Sequence, residues 1–293
     1  MKSCYSDKIF NVVNVMIMLV LLVVFAWPMW FVFIASFSDP NLVNVGEVLL
    51  LPKDINFNGY KLMMEYGPIW TGYANSIFYT LAGTLASMVM TICFAYPMSD
   101  SAFKPRKVLM IFFMITMYFS GGLIPTYLLL KNIHVLNTRW AMIIPGLVSV
   151  YNSLIVRSYF MNSIPRELKE ASTLDGANCV QYLIKVVLPL SKPVLAVVGL
   201  FYAVDYWNNY TKALYYIYDS KLYPLQSILR ELLVSTKLME KMALDPEFMQ
   251  MAYEQAQMLK YAVIIVAAFP MLLIYPFVQK FFVKGVMVGA VKG

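Results

Sequence analysis

The sequence predicts an all-α integral membrane protein with six transmembrane helices and cytoplasmic N- and C-termini. Three observations predict it: composition, the length of the charge-free runs, and where the basic residues fall. Of 293 residues, 60% are hydrophobic and 13% charged, with a mean hydropathy of +0.66, which is more apolar surface than a soluble domain can bury. A spanning helix needs about 20 apolar residues. Charge-free runs of that length lie between Lys8 and Asp39, Glu65 and Asp100, Lys107 and Lys131, and Lys260 and Lys280. A fifth span fits between Arg139 and Arg157, extendable to Phe160, and a sixth runs from about Val186 to Tyr210, with Lys192 reaching back to an interface. Alternating segments of ~10 residues, the mark of an outer-membrane barrel, do not recur.

Orientation follows from the retention of basic residues in the cytoplasm. With the N-terminus inside, segments 1–10, 99–107, 157–192 and 280–293 carry 13 Lys and Arg against 5 acids, while the outer segments 37–69, 128–139 and 210–260 carry 10 of each. The formal net charge of +7 therefore reflects topology and needs no nucleic-acid partner. The apolar run after Lys2 and Lys8 continues far past signal-peptide length without a small-residue cleavage site, which predicts a retained first helix. A single transmembrane domain over 1–293 is expected, with a core bundle at about 70–283, a cytoplasmic loop at 161–187, an extracytoplasmic loop at 212–260 and a cytoplasmic tail at 285–293.

Enzymatic chemistry has little to work with. The chain has no G-x-x-x-x-G-K-[ST] phosphate loop. His134 is the sole histidine, and Cys4, Cys93 and Cys179 are widely separated, so neither a general base nor a metal centre is expected, and no cofactor. The informative segment is polar instead. Glu170-Ala171-Ser172-Thr173-Leu174-Asp175-Gly176-Ala177 lies between the fourth and fifth spans in chain order, with Pro165, Glu167 and Glu170 suited to a helix N-terminus. Ile164, Leu168, Ala171 and Leu174 return at helical spacing, Gly176 permits a turn, and a second short helix is expected from about Asn178 to Val187. Read physically, this is either a grip for a partner or an ordinary amphipathic connector.

The pattern Glu170-Ala171-Ser172-x-x-Asp175-Gly176-Ala177, with Ile184, Leu188-Pro189 and Pro193, resembles the EAA loop of binding-protein-dependent ABC importer permeases. Ser172 stands where that family has Ala, and stays small. Phe119-Ser120-Gly121-Gly122-Leu123-Ile124-Pro125-Thr126-Tyr127, Leu136-Asn137-Thr138-Arg139-Trp140 and the tail from Tyr275-Pro276-Phe277 through Lys284-Gly285-Val286 to Val291-Lys292-Gly293 are similar to MalG-like carbohydrate permeases, most of all their LplC-like subgroup, which includes the smaller membrane subunit of the bacterial alginate importer. The resemblance implies a MetI-like, type I importer permease fold in the bacterial inner membrane. It also implies a second, MalF-like permease, two ATPase subunits that bind the ATP and Mg, and an extracytoplasmic solute-binding protein delivering an oligosaccharide, acidic ones such as alginate included. By the same resemblance Glu170, Ala171, Ser172, Asp175, Gly176 and Ala177 couple to the ATPase, and Lys292 and Gly293 belong to a tail inserted between the ATPases; a frayed basic terminus is the alternative.

The sugar path is read from residues. Asp205-Tyr206-Trp207-Asn208-Asn209-Tyr210 combines aromatic faces for pyranose stacking with amides for hydroxyls, and Asp205 is the one acid expected within a span. An interfacial aromatic belt with a structural carboxylate is the alternative. Gly121-Gly122 and Pro125 are expected to break the third span. The 212–260 loop, with a helical stretch at Gln226 to Met242, would dock the delivery protein or form a solvated lid. A secondary transporter would carry internal repeats and buried relays, for which only Asp205 qualifies; an ABC permease for another solute would share the EAA loop but not the other matches.

Overall fold

The computed structural model describes residues 5–242 and 246–290. Every regular element among them is helical. The described residues cluster into two compact units, those up to Gly67 with those of Leu229–Phe269, and Pro68–Ile228 with those from Pro270 onward.

In the first unit, α1 (Tyr5–Ala35) is apolar all round, with Val12, Leu19 and Phe25 all exposed, the pattern of a helix meant for lipid or for another chain rather than water. Its end is different. Ile34 and Ala35 bury with Val43 and Val48, around the short α2 (Pro40–Asn44), whose N-cap Asp39 accepts from the Asn41 and Leu42 amides. Phe31 meets Tyr261 edge-on, and Asn41 donates to Glu254 at 3.1 Å. In α3 (Asn58–Glu65), a Cβ on Gly59 would lie 2.7 Å from the Met258 carbonyl, so glycine lets the two backbones touch.

The second unit is organised around α4 (Pro68–Ser99). One face is small: Gly72, Ser76, Gly83, Ser87, Thr91 and Ala95 are all buried, largely at a four-residue repeat. Without a hydrophobic force between helices in lipid, small residues and interhelical hydrogen bonds provide the association. A Cβ on Gly83 would lie 2.6 Å from the Tyr206 ring. Ser87 and Thr91 exchange hydrogen bonds with the Tyr206 and Tyr202 hydroxyls at 3.1 and 2.7 Å.

Three of the six predicted spans are single long helices, Asp7–Ala35, Pro68–Ser99 and Tyr253–Ile274. The other three are bent pairs, each with a local cause. α5 (Arg106–Tyr118) and α6 (Leu123–Asn132) meet at 114°, because Gly122 takes φ +84°, as the glycine pair suggested. α7 (Arg139–Ile143) continues through a tight turn to Gly146 and meets α8 (Val150–Ser163) at 51°, where Pro145 precludes regular helix and Ser149 caps the next one. The sixth predicted span, Val186 to Tyr210, is corrected most. It breaks at Ser191, so that α10 (Cys179–Tyr182), a wide turn at Leu183–Val187 and α11 (Leu188–Leu190) lie at 83° to α12 (Lys192–Asn208). Pro189 and Pro193, which cannot donate to the preceding turns, bracket that corner.

The 212–260 segment is not a free loop. It comprises α13 (Thr211–Tyr216), α14 (Leu225–Met242), close to the helix expected there, and the start of α15 (Pro246–Ala290). Asn75 donates to the Lys221 and Tyr223 carbonyls, Tyr79 to Leu222, and Ser76 accepts from the Leu225 amide, so α4 grips the stretch between α13 and α14.

Candidate coupling surface and solute pocket

α9 (Arg166–Leu174) begins after Pro165, with Glu167 in its first turn and no buried residue of its own. It ends in a complete Schellman motif. The Ala177 amide donates to the Ser172 carbonyl at 2.9 Å and the Gly176 amide to Thr173 at 3.1 Å, with Gly176 at φ +76°. Asn178 and Gln181 then form a reciprocal capping box that starts α10. The predicted helix and turn are thus present, and the second helix starts at Cys179 as expected but runs on through the wide turn to Leu190.

What holds this unit to the bundle is as specific as what it exposes. Lys169 pairs with Asp100 at 2.7 Å, Tyr96 donates to the Cys179 carbonyl at 3.0 Å, and Tyr182 and Val187 sink into the core with Phe160 and Val194. Burial alone would raise the Asp100 carboxyl, but hydrogen bonds from Lys169 and the Ala102 amide, with the charges of Lys169 and Arg106, hold it below its usual value. Glu170, Ala171, Asp175 and Gly176 remain exposed, Ser172 and Ala177 half-buried. Leu174 is 89% exposed, and Val180 and Ile184 are exposed as well. The Ser172 hydroxyl bonds the Lys169 carbonyl of its own helix, so it does not reach outward. The result is a rigid, anchored handle with an acid and several apolar side chains on its free face.

At the opposite end of α12, about 24 Å away by helix rise, the predicted path residues separate. Tyr206 and Trp207 are each only 2% exposed. Tyr206 lies against Gly83 and donates to the Ile143 carbonyl at 3.1 Å, and Trp207 packs near Tyr73 at 6.2 Å between ring centres. Their rings are covered by neighbouring helices and pack within the bundle in this structure, whereas the sequence reading has them present stacking faces. Asp205 and Asn208 are exposed and Asn209 is half-buried. With Phe201, Thr211, Lys212 and Tyr215 they line a cavity of about 620 Å³, within the roughly 300–1,000 Å³ of small-molecule sites.

Lys212, which sequence reasoning missed, sits 3.8 Å from Asp205 and 5.0 Å over the Tyr206 ring. Burial pushes its ammonium below the usual lysine value, with Asp205 pulling it back up. The two stand seven positions apart, but the helix ends at Asn208 between them, so helical spacing does not account for their meeting. Asn137, noted only within a matched motif, is held at φ +57° with its side chain accepting from the Tyr218 and Asp219 amides at 2.8 Å each, and so fixes the strand-like segment beyond the pocket. Lys292 and Gly293 lie outside the described residues.

A multi-span helical protein with an anchored external handle at one end and a mixed polar pocket at the other is built as the membrane subunit of a transporter. The chain belongs to the family of binding-protein-dependent transport system inner membrane components, whose model matches residues 66–288. It is similar to Protein LplC of Bacillus subtilis (strain 168), 35% identical over 293 residues that cover 100% of this chain and 98% of that protein. It is 36% identical over 289 residues to the polygalacturonan/rhamnogalacturonan transport system permease protein YtcP of the same organism, covering 98% and 100%. Among solved structures it matches a chain of a bacterial ABC transporter involved in the import of the acidic polysaccharide alginate, with TM-score 0.84, 32% identity and coverage of 96% and 99%. The family resemblance read from the sequence, including its LplC-like subgroup, is borne out.

Proposed function

We infer that this chain is the permease subunit of an ATP-driven importer of oligosaccharides, acidic ones foremost. The family assignment, and relatives named for galacturonan and alginate transport, support that reading. Six spans with both termini in the cytoplasm put the α9–α10 handle inside the cell, where ATP and Mg are bound by two partner ATPase subunits. The pocket at Asp205 then opens outward, where a solute-binding protein delivers the sugar, and a second, MalF-like permease completes the path. The tail ending in Lys292-Gly293 would reach the ATPases.

The observation that carries the reading is the handle itself. Its Schellman turn and ion pair to Asp100 fix its shape, while Glu170 and Leu174 project freely. Movement of an ATPase cleft closed around α9 would pass as a rigid-body motion to α8 and, through Tyr182 and Val187, to α12, which is the form alternating access takes. On the solute side the proposal is narrowed to Asp205, Asn208 and Asn209 with Lys212, Tyr206 and Trp207 supporting them from behind. The test is Glu170→Lys in the assembled transporter: intact assembly, but uptake reduced at least tenfold with ATPase activity no longer stimulated by loaded binding protein. Wild-type uptake in that variant would reduce α9 to a connector.

A further inference from the structure

α5 and α8 flank an open groove of about 930 Å³, whose basic end shares Arg106 and Met161 with the cavity beside Glu170 and which reaches away from the handle along α5. One end is strongly basic, with Arg106 and Lys107 in the first turn of α5 and Arg157 on α8. None of the three is in an ion pair among the described residues; Asp100, the acid whose carboxyl feels Arg106, is already engaged by Lys169. Arg157 is steadied by a hydrogen bond from Nε to the Met98 carbonyl at 3.0 Å, which leaves the rest of its guanidinium for another partner. The first turn of α5 holds no acid, so nothing offsets the positive end of the helix dipole there.

The remainder of the groove is apolar, walled along α5 by Met110, Ile111, Met114 and Ile115 and running on to Tyr118. Such a wall has no donors or acceptors for the hydroxyls of a sugar, and flexible thioethers conform to irregular chains. From Arg106 to Tyr118 it measures about 18 Å at ~1.5 Å per residue, against about 15 Å for half a hydrocarbon core. The basic end coincides with the side that the Lys and Arg distribution marks as cytoplasmic, where anionic lipids are held by basic pockets between helices.

We propose that this groove is a binding site for one anionic phospholipid, its phosphate held by Arg106, Lys107 and Arg157 and an acyl chain lying along the methionine wall. The inference stands on the groove and the membrane orientation, and does not depend on which solute is carried. It assigns a lipid-dependent stability to the α5–α8 pair.

The test is native mass spectrometry of the assembled transporter after exchange from vesicles of phosphatidylglycerol or phosphatidylcholine. The expected result is retention of phosphatidylglycerol but not phosphatidylcholine by the wild type. Occupancy should fall at least fivefold in R106Q/K107Q, which removes charge, and in M114W, which fills the groove. Equal retention of both lipids by the wild type, or wild-type occupancy in the two variants, overturns the proposal. If R106Q/K107Q does not assemble, M114W decides alone, and undiminished phosphatidylglycerol there overturns it. Displacement of the lipid by an oligogalacturonate in the wild type would make the groove part of the sugar path and overturn it too, whereas failure of uptake in the Glu170 variant leaves this result untouched.

Discussion

Replacing Gly176 with Val isolates the turn that ends the coupling helix. Gly176 sits at φ +76°, and a Cβ built there meets nothing within 4 Å, so the substitution creates no clash and its cost is confined to the backbone. Left-handed backbone costs an L-residue about 1–2 kcal/mol, and a β-branched one falls at the upper end. At ~1.4 kcal/mol per factor of ten, the population with the Schellman turn intact falls about fivefold to thirtyfold relative to alternatives that release the Ala177 and Gly176 hydrogen bonds. Gly176→Asn, which tolerates the same conformation, should lose little. In proteoliposomes holding the permease pair, the ATPase and the binding protein, sugar imported per ATP hydrolysed should drop severalfold for Val and stay near wild type for Asn, with equal amounts of assembled complex. Normal coupling in Gly176→Val, or equal damage from Asn and Val, would refute the claim that the turn's geometry carries the coupling.

The solute end yields predictions of a different kind. Trp207→Ala should lower the yield and thermal stability of the complex by an amount of order 3–5 kcal/mol in unfolding free energy, and Gly83→Ala should do the same more mildly, about 1–3 kcal/mol, since its methyl would meet the Tyr206 ring; unchanged stability with a raised half-saturation for uptake would return Trp207 to the solute path. Asp205→Asn frees the charge of Lys212, so uptake of an acidic oligosaccharide should saturate at lower concentration, and Lys212→Gln should have the opposite effect; no change in either direction removes the pair from the path. The Asp100 carboxyl is held below its usual value, so its ion pair with Lys169 contributes above about pH 4 and is lost as pH falls through the folded value. Because the pair is partly exposed the contribution is at most about 1 kcal/mol. The stability deficit of Asp100→Asn should be full at pH 7 and vanish on acidification, and a deficit that grew towards low pH would contradict this.

The sequence was most legible where a signal is local. Length and absence of charge mark the single long helices, and Gly176, Asn178 and the spaced apolar residues of 164–174 mark the handle, because caps and turns are written in consecutive residues. The break at Gly121-Gly122 is readable for the same reason. The corner at Ser191 is less so: Pro189 and Pro193 bracket it, but hydropathy averages over it, and the packing that fixes its angle comes from Tyr182 and Val187 meeting a distant apolar core. Tyr206 and Trp207 look like sugar-stacking residues in any one-dimensional reading; which way a ring faces depends on the small face of α4, 120 residues earlier. That face was present as Gly83, Ser87, Thr91 and Ala95 at intervals of four, a helix-contact signature that names a packing surface without naming its partner. Lys212 and Asp205 come together only through the end of α12 and the start of α13.

The most direct test of the account is ATP-dependent uptake of a uronate oligosaccharide by this chain reconstituted with its partner permease, ATPase and binding protein, with the wild type and Glu170→Lys compared in the same vesicles. The account predicts import that requires ATP and all the partners, and that collapses in the variant although the complex assembles and still hydrolyses ATP at a basal rate. Import by the permease without the ATPase, or an equal rate in Glu170→Lys, would contradict it.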